Sequence, residues 1–104
     1  MVTYSYDHIH LRSREPMDTA RYFNQMFGAE IKESIQSDGQ SRVDIDINGL
    51  IIFIAKAEES TPAGPVDPYV GLDHFGLRVE NLDAAAADLK AKGAEFSMKP
   101  KDLR

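Results

Sequence analysis

The sequence predicts an α+β fold built from strand–helix–strand–strand–strand (βαβββ) modules, one complete and one partial. Three observations predict it. The phrase "DHIHLR" at residues 7–12 returns as "DHFGLR" at residues 73–78. An amphipathic helical stretch follows each copy and leaves through a matching exit, "GAEI" from Gly28 and "GAEF" from Gly93. After the first exit, three runs alternate apolar and polar residues with turn signals between them, as half-buried strands do. The repeat offset changes only from 66 residues at the histidines to 65 at the exit glycines, and internal self-similarity of this kind outranks any single motif.

The first strand spans residues 6–13, with Asp7, Ile9 and Leu11 on one face and His8, His10 and Arg12 on the other. Pro16 suits a helix start, Met17, Ala20, Phe23 and Phe27 follow at helical spacing, and Gly28 supplies a left-handed stop. Phe23, Met26 and Phe27 read as core. Ile31, Glu33 and Ile35 alternate before the turn "SDGQ"; "RVDIDI" alternates again; Asn48-Gly49 is a two-residue hairpin signal; and "LIIFIAKA" completes a fourth strand. The first module therefore covers residues 1–57. Prolines and glycine crowd residues 58–71, which read as an extended linker. Residues 72–104 read as a partial second module: a strand with His74, Gly76 and Arg78 on one face, a helix capped by Asn81 and ended by Gly93, and a strand at 94–99.

Composition narrows the function classes. At 104 residues, with 42% hydrophobic and 28% charged residues, the chain suits one soluble globular domain rather than a disordered segment. A net charge of -5 with scattered Lys and Arg deprives nucleic-acid binding of its main electrostatic term. The longest apolar run, Leu50 to Ala55, is far short of a membrane span, and "MVTYSYDH" lacks the basic start of a signal peptide. Without cysteine there are no disulfides, thiolate metal sites or thiol nucleophiles, so cytoplasm is the expected compartment.

On "YDHIHL", "ARYFNQMFGAEI" and "LDHFGLRVENLDAAAADLKAKGAEF", the chain resembles the vicinal oxygen chelate superfamily of glyoxalases, methylmalonyl-CoA epimerases, extradiol dioxygenases and bleomycin-resistance proteins. The resemblance implies a cupped mixed sheet with helices on its outer face and one divalent metal ion (Fe, Ni, Co, Zn or Mn) held from the two modules. His8 and His74 match the family's histidine ligands. The family's Glu, late in a fourth strand, has no match: Ile52 or Phe53 stands there in the first module, and the second module's strand is not in the sequence. That Glu is expected C-terminal to these residues.

The implied activity is a lyase or isomerase of the glyoxalase (lactoylglutathione lyase) or epimerase type, in which the metal chelates vicinal oxygens of a small-molecule substrate and stabilises an enediolate. An Fe(II) extradiol dioxygenase and a metal-free, bleomycin-resistance-like binding protein are the alternatives. A lone histidine is more often a hydrogen-bonded structural residue, but two at equivalent repeat positions favour ligation. His10, whose counterpart is Gly76, lines the cup and is the candidate for acid–base work. Arg12 and Arg78 suit a substrate carboxylate or phosphate, or else salt bridges to Asp44 or Asp46. Asp7 and Asp73 face the helix side, where capping or turn contacts are expected. The open sheet edge predicts a homodimer, with exchanged modules as one form of it.

Overall fold

The computed structural model describes residues 1–97. The chain divides into two compact units, Met1–Thr61 and Pro62–Arg104, described separately.

The first unit contains β1 (Ile9–Ser13), α1 (Pro16–Phe27), β2 (Glu30–Ile35), β3 (Ser41–Ile47) and β4 (Leu50–Lys56). Its mixed sheet has the order β1-β4-β3-β2, parallel between β1 and β4 and antiparallel elsewhere. This is the complete βαβββ module read from the sequence. Pro16 opens α1, where its missing N–H costs nothing, and Gly28 at φ 70° closes it by donating to the Asn24 carbonyl at 2.9 Å. Asn48 and Gly49 both take positive φ, 52° and 102°, the geometry that lets a two-residue turn follow the twist of the β3–β4 hairpin.

Alternation puts the apolar half of β3 and β4 under α1. Ala20 and Ala29 pack with Val43, Ile45, Ile52 and Ile54 as the buried core. Register aligns Ile45 with Ile52 and Val43 with Ile54, while Ile9 and Leu11 extend the same rows on β1. Ile45 and Ile52 are fully buried, worth about 1.5–3 kcal/mol each. Of the expected helix core, Phe23 and Met26 are half-buried, but Phe27 is 37% exposed. It is the last residue of α1, just before the Gly28 cap, and its ring packs instead against Phe23 and Tyr22.

In the second unit the described residues hold one regular element, α2 (Leu82–Ala91). Asn81 caps it as its side chain predicts, accepting from the Ala84 N–H at 2.9 Å. Residues 57–81 carry no strand or helix. The expected strand at 73–79 therefore lacks a ladder among the described residues. In the first unit β1 is held by β4, and among the described residues of the second unit no strand stands in that place. Residues 94–97 likewise form no strand, and the rest of that expected element lies outside the described residues.

Candidate functional site

α1 covers one face of the first sheet, and the other face carries the chemistry. Along β1, Ile9 and Leu11 are half-buried toward the helix while His10 and Arg12 are exposed on the open face. The period of two puts His8, immediately before the strand, on that face as well. Register supplies the neighbours: His10 lies level with Phe53 on β4, and Phe53 with Asp44 on β3. Ile52 is wholly in the core, so Phe53 is the residue standing on the open face near the position where a carboxylate ligand was sought.

Phe53 organises this surface. The His8 ring stacks on it, with centroids 4.1 Å apart and planes 24° from parallel. The Arg42 guanidinium lies over the same ring at 3.7 Å, and His10 meets it edge-on at 6.4 Å. Stacking and cation–π contacts of this kind contribute about 0.5–1.5 kcal/mol apiece. Arg42 is also held by Asp44, whose Oδ1 accepts from Nε at 2.8 Å. That hydrogen bond raises the guanidinium pKa above its ordinary value, so the charge is permanent.

The histidine phrase brings its own second partner. The His8 Nδ1 lies 2.6 Å from Asp7 Oδ2, and His74 Nδ1 lies 2.6 Å from Asp73 Oδ2. Asp7 and Asp73 were expected in capping or turn contacts, and they instead orient the adjacent imidazoles. Sequence reasoning missed this pairing, although the dipeptide Asp-His standing in both copies was its signal. With Nδ1 engaged, the Nε2 of each ring is left to face a further partner.

The carboxylates offered to Arg12 are taken. Asp44 pairs with Arg42, and Asp46 pairs with Lys32 at 3.8 Å while accepting the Gly49 N–H at 2.7 Å. No ion pair or hydrogen bond among the described residues includes the Arg12 side chain. Arg12 instead lines a groove of about 840 Å³ together with His10, Arg42, Phe53 and Ala55, a groove that continues past the sheet end to Met17 and Arg21 on α1. Thus the structure brings His8, His10 and Arg12 onto one surface. His74 and Arg78 are exposed residues of the second unit. Among the described residues no group of three His, Cys, Asp or Glu side chains could hold a metal ion. Among them, too, no helix is long and apolar enough to cross a membrane.

Comparisons with known proteins agree with this architecture. A protein from the mobile metagenome of V. pseudocholerae superposes with a TM-score of 0.70 at 16% identity, covering 97% of this chain and 76% of its own. A glyoxalase family protein from Enterococcus faecalis gives 0.68 at 23% identity, with 95% and 81% covered. The genomically encoded fosfomycin resistance protein FosX of Listeria monocytogenes, complexed with Mn(II) and a sulfate ion, gives 0.60 at 23% identity, with 96% and 78% covered. No curated protein matches. At these identities the structures share the fold, while the profile of one family, described as glyoxalase/bleomycin resistance protein/dioxygenase superfamily, matches residues 7–103. Nearly the whole sequence answers to that profile and its first module to the family's βαβββ unit: the chain belongs to the glyoxalase/bleomycin resistance protein/dioxygenase superfamily.

Proposed function

We propose that the protein is a divalent-metal-dependent enzyme of the glyoxalase or epimerase type, with His8 and His74 each giving a ring nitrogen to one metal ion per chain. The observation that carries this reading is the doubled Asp–His pair, 2.6 Å in both copies. A carboxylate on Nδ1 fixes the tautomer that leaves a lone pair on Nε2 and orients the ring, the support that metal-ligating histidines usually have. Two imidazoles suit Mn, Fe, Co, Ni or Zn, and the third donor, a carboxylate, comes from outside the described residues. FosX, a relative by fold, holds Mn(II), which supports a metal in such a fold.

A divalent ion bound there supplies Lewis-acid polarisation of two neighbouring substrate oxygens. This chain's own residues do the rest. Neither ring nitrogen of His10 has a hydrogen-bond partner among the described residues, and the ring stands on the groove wall. It takes a proton at Nε2 from a carbon next to a carbonyl and returns it there, the work of a general acid–base group. Arg12 binds an anionic part of the substrate, and Arg78 does the same from the second unit. The exposed edge of β1 supports association of two chains.

Elemental analysis of the full chain purified without chelator tests the metal. Close to one divalent ion per chain, lost in both His8→Ala and His74→Ala, is the expected result, and iron as that ion points to dioxygenase chemistry instead. A second reading has its own observation: Phe53, flanked by His8 and Arg42, is an aromatic platform for stacking a planar ligand. Tight binding of an aromatic antibiotic, unchanged by chelator and without turnover, would overturn the enzyme in favour of a binding protein. A mass of one chain by light scattering at micromolar concentration would overturn the dimer.

A further inference from the structure

Arg12 and Arg42 stand on either side of one small residue. Register aligns Arg12 with Ala55, and one step past the Val43–Ile54 pair the antiparallel ladder brings Arg42 level with the same Ala55. Strand spacing sets the two arginine backbones roughly 9–10 Å apart across β4, all three residues on the open face. A methyl group is the whole floor between them. All three line the groove.

The two cations are prepared differently. Arg42 is anchored through Nε by Asp44 and through its flat face by Phe53, which leaves its two Nη groups without a partner among the described residues. Arg12 has no partner among them at all. With no carboxylate of the described residues on it, the Arg12 guanidinium keeps its donors available to an anion entering the groove. The charges on this row also select. Asp44 offsets one of the two arginine charges on this row, Glu15, Glu33, Arg21 and Lys56 line other parts of the groove, and two planar guanidinium forks match a planar carboxylate.

We propose that Arg12 and Arg42, with Ala55 as the floor between them, form a subsite for a carboxylate of the substrate. This deepens the function proposed above by naming what the open face recognises, and it rests on that reading only for the word substrate. Arg42 is accordingly a specificity residue, a role that no repeat signalled, since its contacts come from register and not from the phrase.

The test is a titration of the chelator-treated full chain with acetate and with methylphosphonate, followed by the backbone and Arg Nε–H NMR signals. Saturable acetate shifts at Arg12, Arg42 and Ala55 are expected. Arg12→Ala weakens acetate binding about tenfold or more, as loss of a charge-assisted hydrogen bond does. Ala55→Leu, which fills the floor and spares both arginines, weakens it comparably, whereas Ala55→Ser retains binding and Lys90→Ala on α2 leaves it unchanged. Acetate bound as in the wild type by Arg12→Ala or by Ala55→Leu overturns the subsite. Tighter binding of methylphosphonate than of acetate overturns the carboxylate assignment. Because metal is absent throughout, failure of the metal reading leaves this readout intact, and failure here leaves the metal analysis intact.

Discussion

Residues 7–12 and 73–78 carry the same phrase in two settings. In the first, the phrase runs into β1, which pairs with β4, buries Ile9 and Leu11 halfway, and leaves a His8 side chain 38% exposed with its ring on Phe53. In the second, no ladder forms among the described residues, and the His74 side chain is 80% exposed. The Asp–His distance is nonetheless the same in both. A contact between adjacent residues is encoded wherever the dipeptide occurs, whereas a packed environment needs partners distant in sequence. Duplication therefore copied the local chemistry of the histidine more faithfully than its surroundings.

The largest expected effect breaks that comparison at its base. Ile52→Ala removes a fully buried side chain from beneath α1 and lowers first-unit stability by about 2–5 kcal/mol in urea unfolding. Leu89→Ala, a half-buried position on the largely exposed α2, costs about 1 kcal/mol or less, because no residue of that helix is buried. Equal losses would show that the second unit has a core of its own.

Asp7→Asn and Asp73→Asn sharpen it. If each carboxylate supports a ligating histidine, each substitution lowers metal affinity about 10–100-fold. Equal losses would confirm that the local pair matters more than its setting; no loss in either variant would remove the doubled pair as support for the metal.

Phe53→Leu separates the copies by a smaller amount. Among the described residues no aromatic ring stacks on His74, so the ring-current shift of the His8 imidazole proton disappears while the His74 signal stays in place. Metal affinity falls roughly three- to tenfold, in proportion to one aromatic contact. A His8 signal that does not move would show the ring free of Phe53 in solution.

What was legible in the sequence was what neighbouring residues decide. Pro16, Gly28, the Asn48-Gly49 turn and the Asn81 cap each fixed an end from a single side chain or a single φ. Along β1 the two faces followed from alternation, so Ile9 and Leu11 on one side and His10 and Arg12 on the other were placed correctly. The choice between Ile52 and Phe53 for the open face needed the sheet itself. The first strand was drawn three residues too long because alternation continues where pairing with β4 has not begun. The strand expected at 73–79 failed for the same reason: a pattern states a preference, and a ladder needs a neighbour. The Phe53–Arg42 contact was invisible because it depends on the β3–β4 register, which no local signal of either residue reports.

The parallel pairing of β1 with β4 has a consequence in time. The strands β2, β3 and β4 follow one another through short turns, and hairpins of this kind close within about 1–10 μs. Ile9 must find Ile52 across the whole of α1, β2 and β3, a closure with a larger entropic cost before any contact rewards it. The meander is then the part of the first unit that assembles early, and β1 docks onto it late and leaves it first. Amide hydrogen exchange should accordingly be faster along Ile9–Ser13 than along Ser41–Ile47. The histidine phrase thus rides on the strand that opens most readily, and whatever binds to it acts as a clasp on the fold.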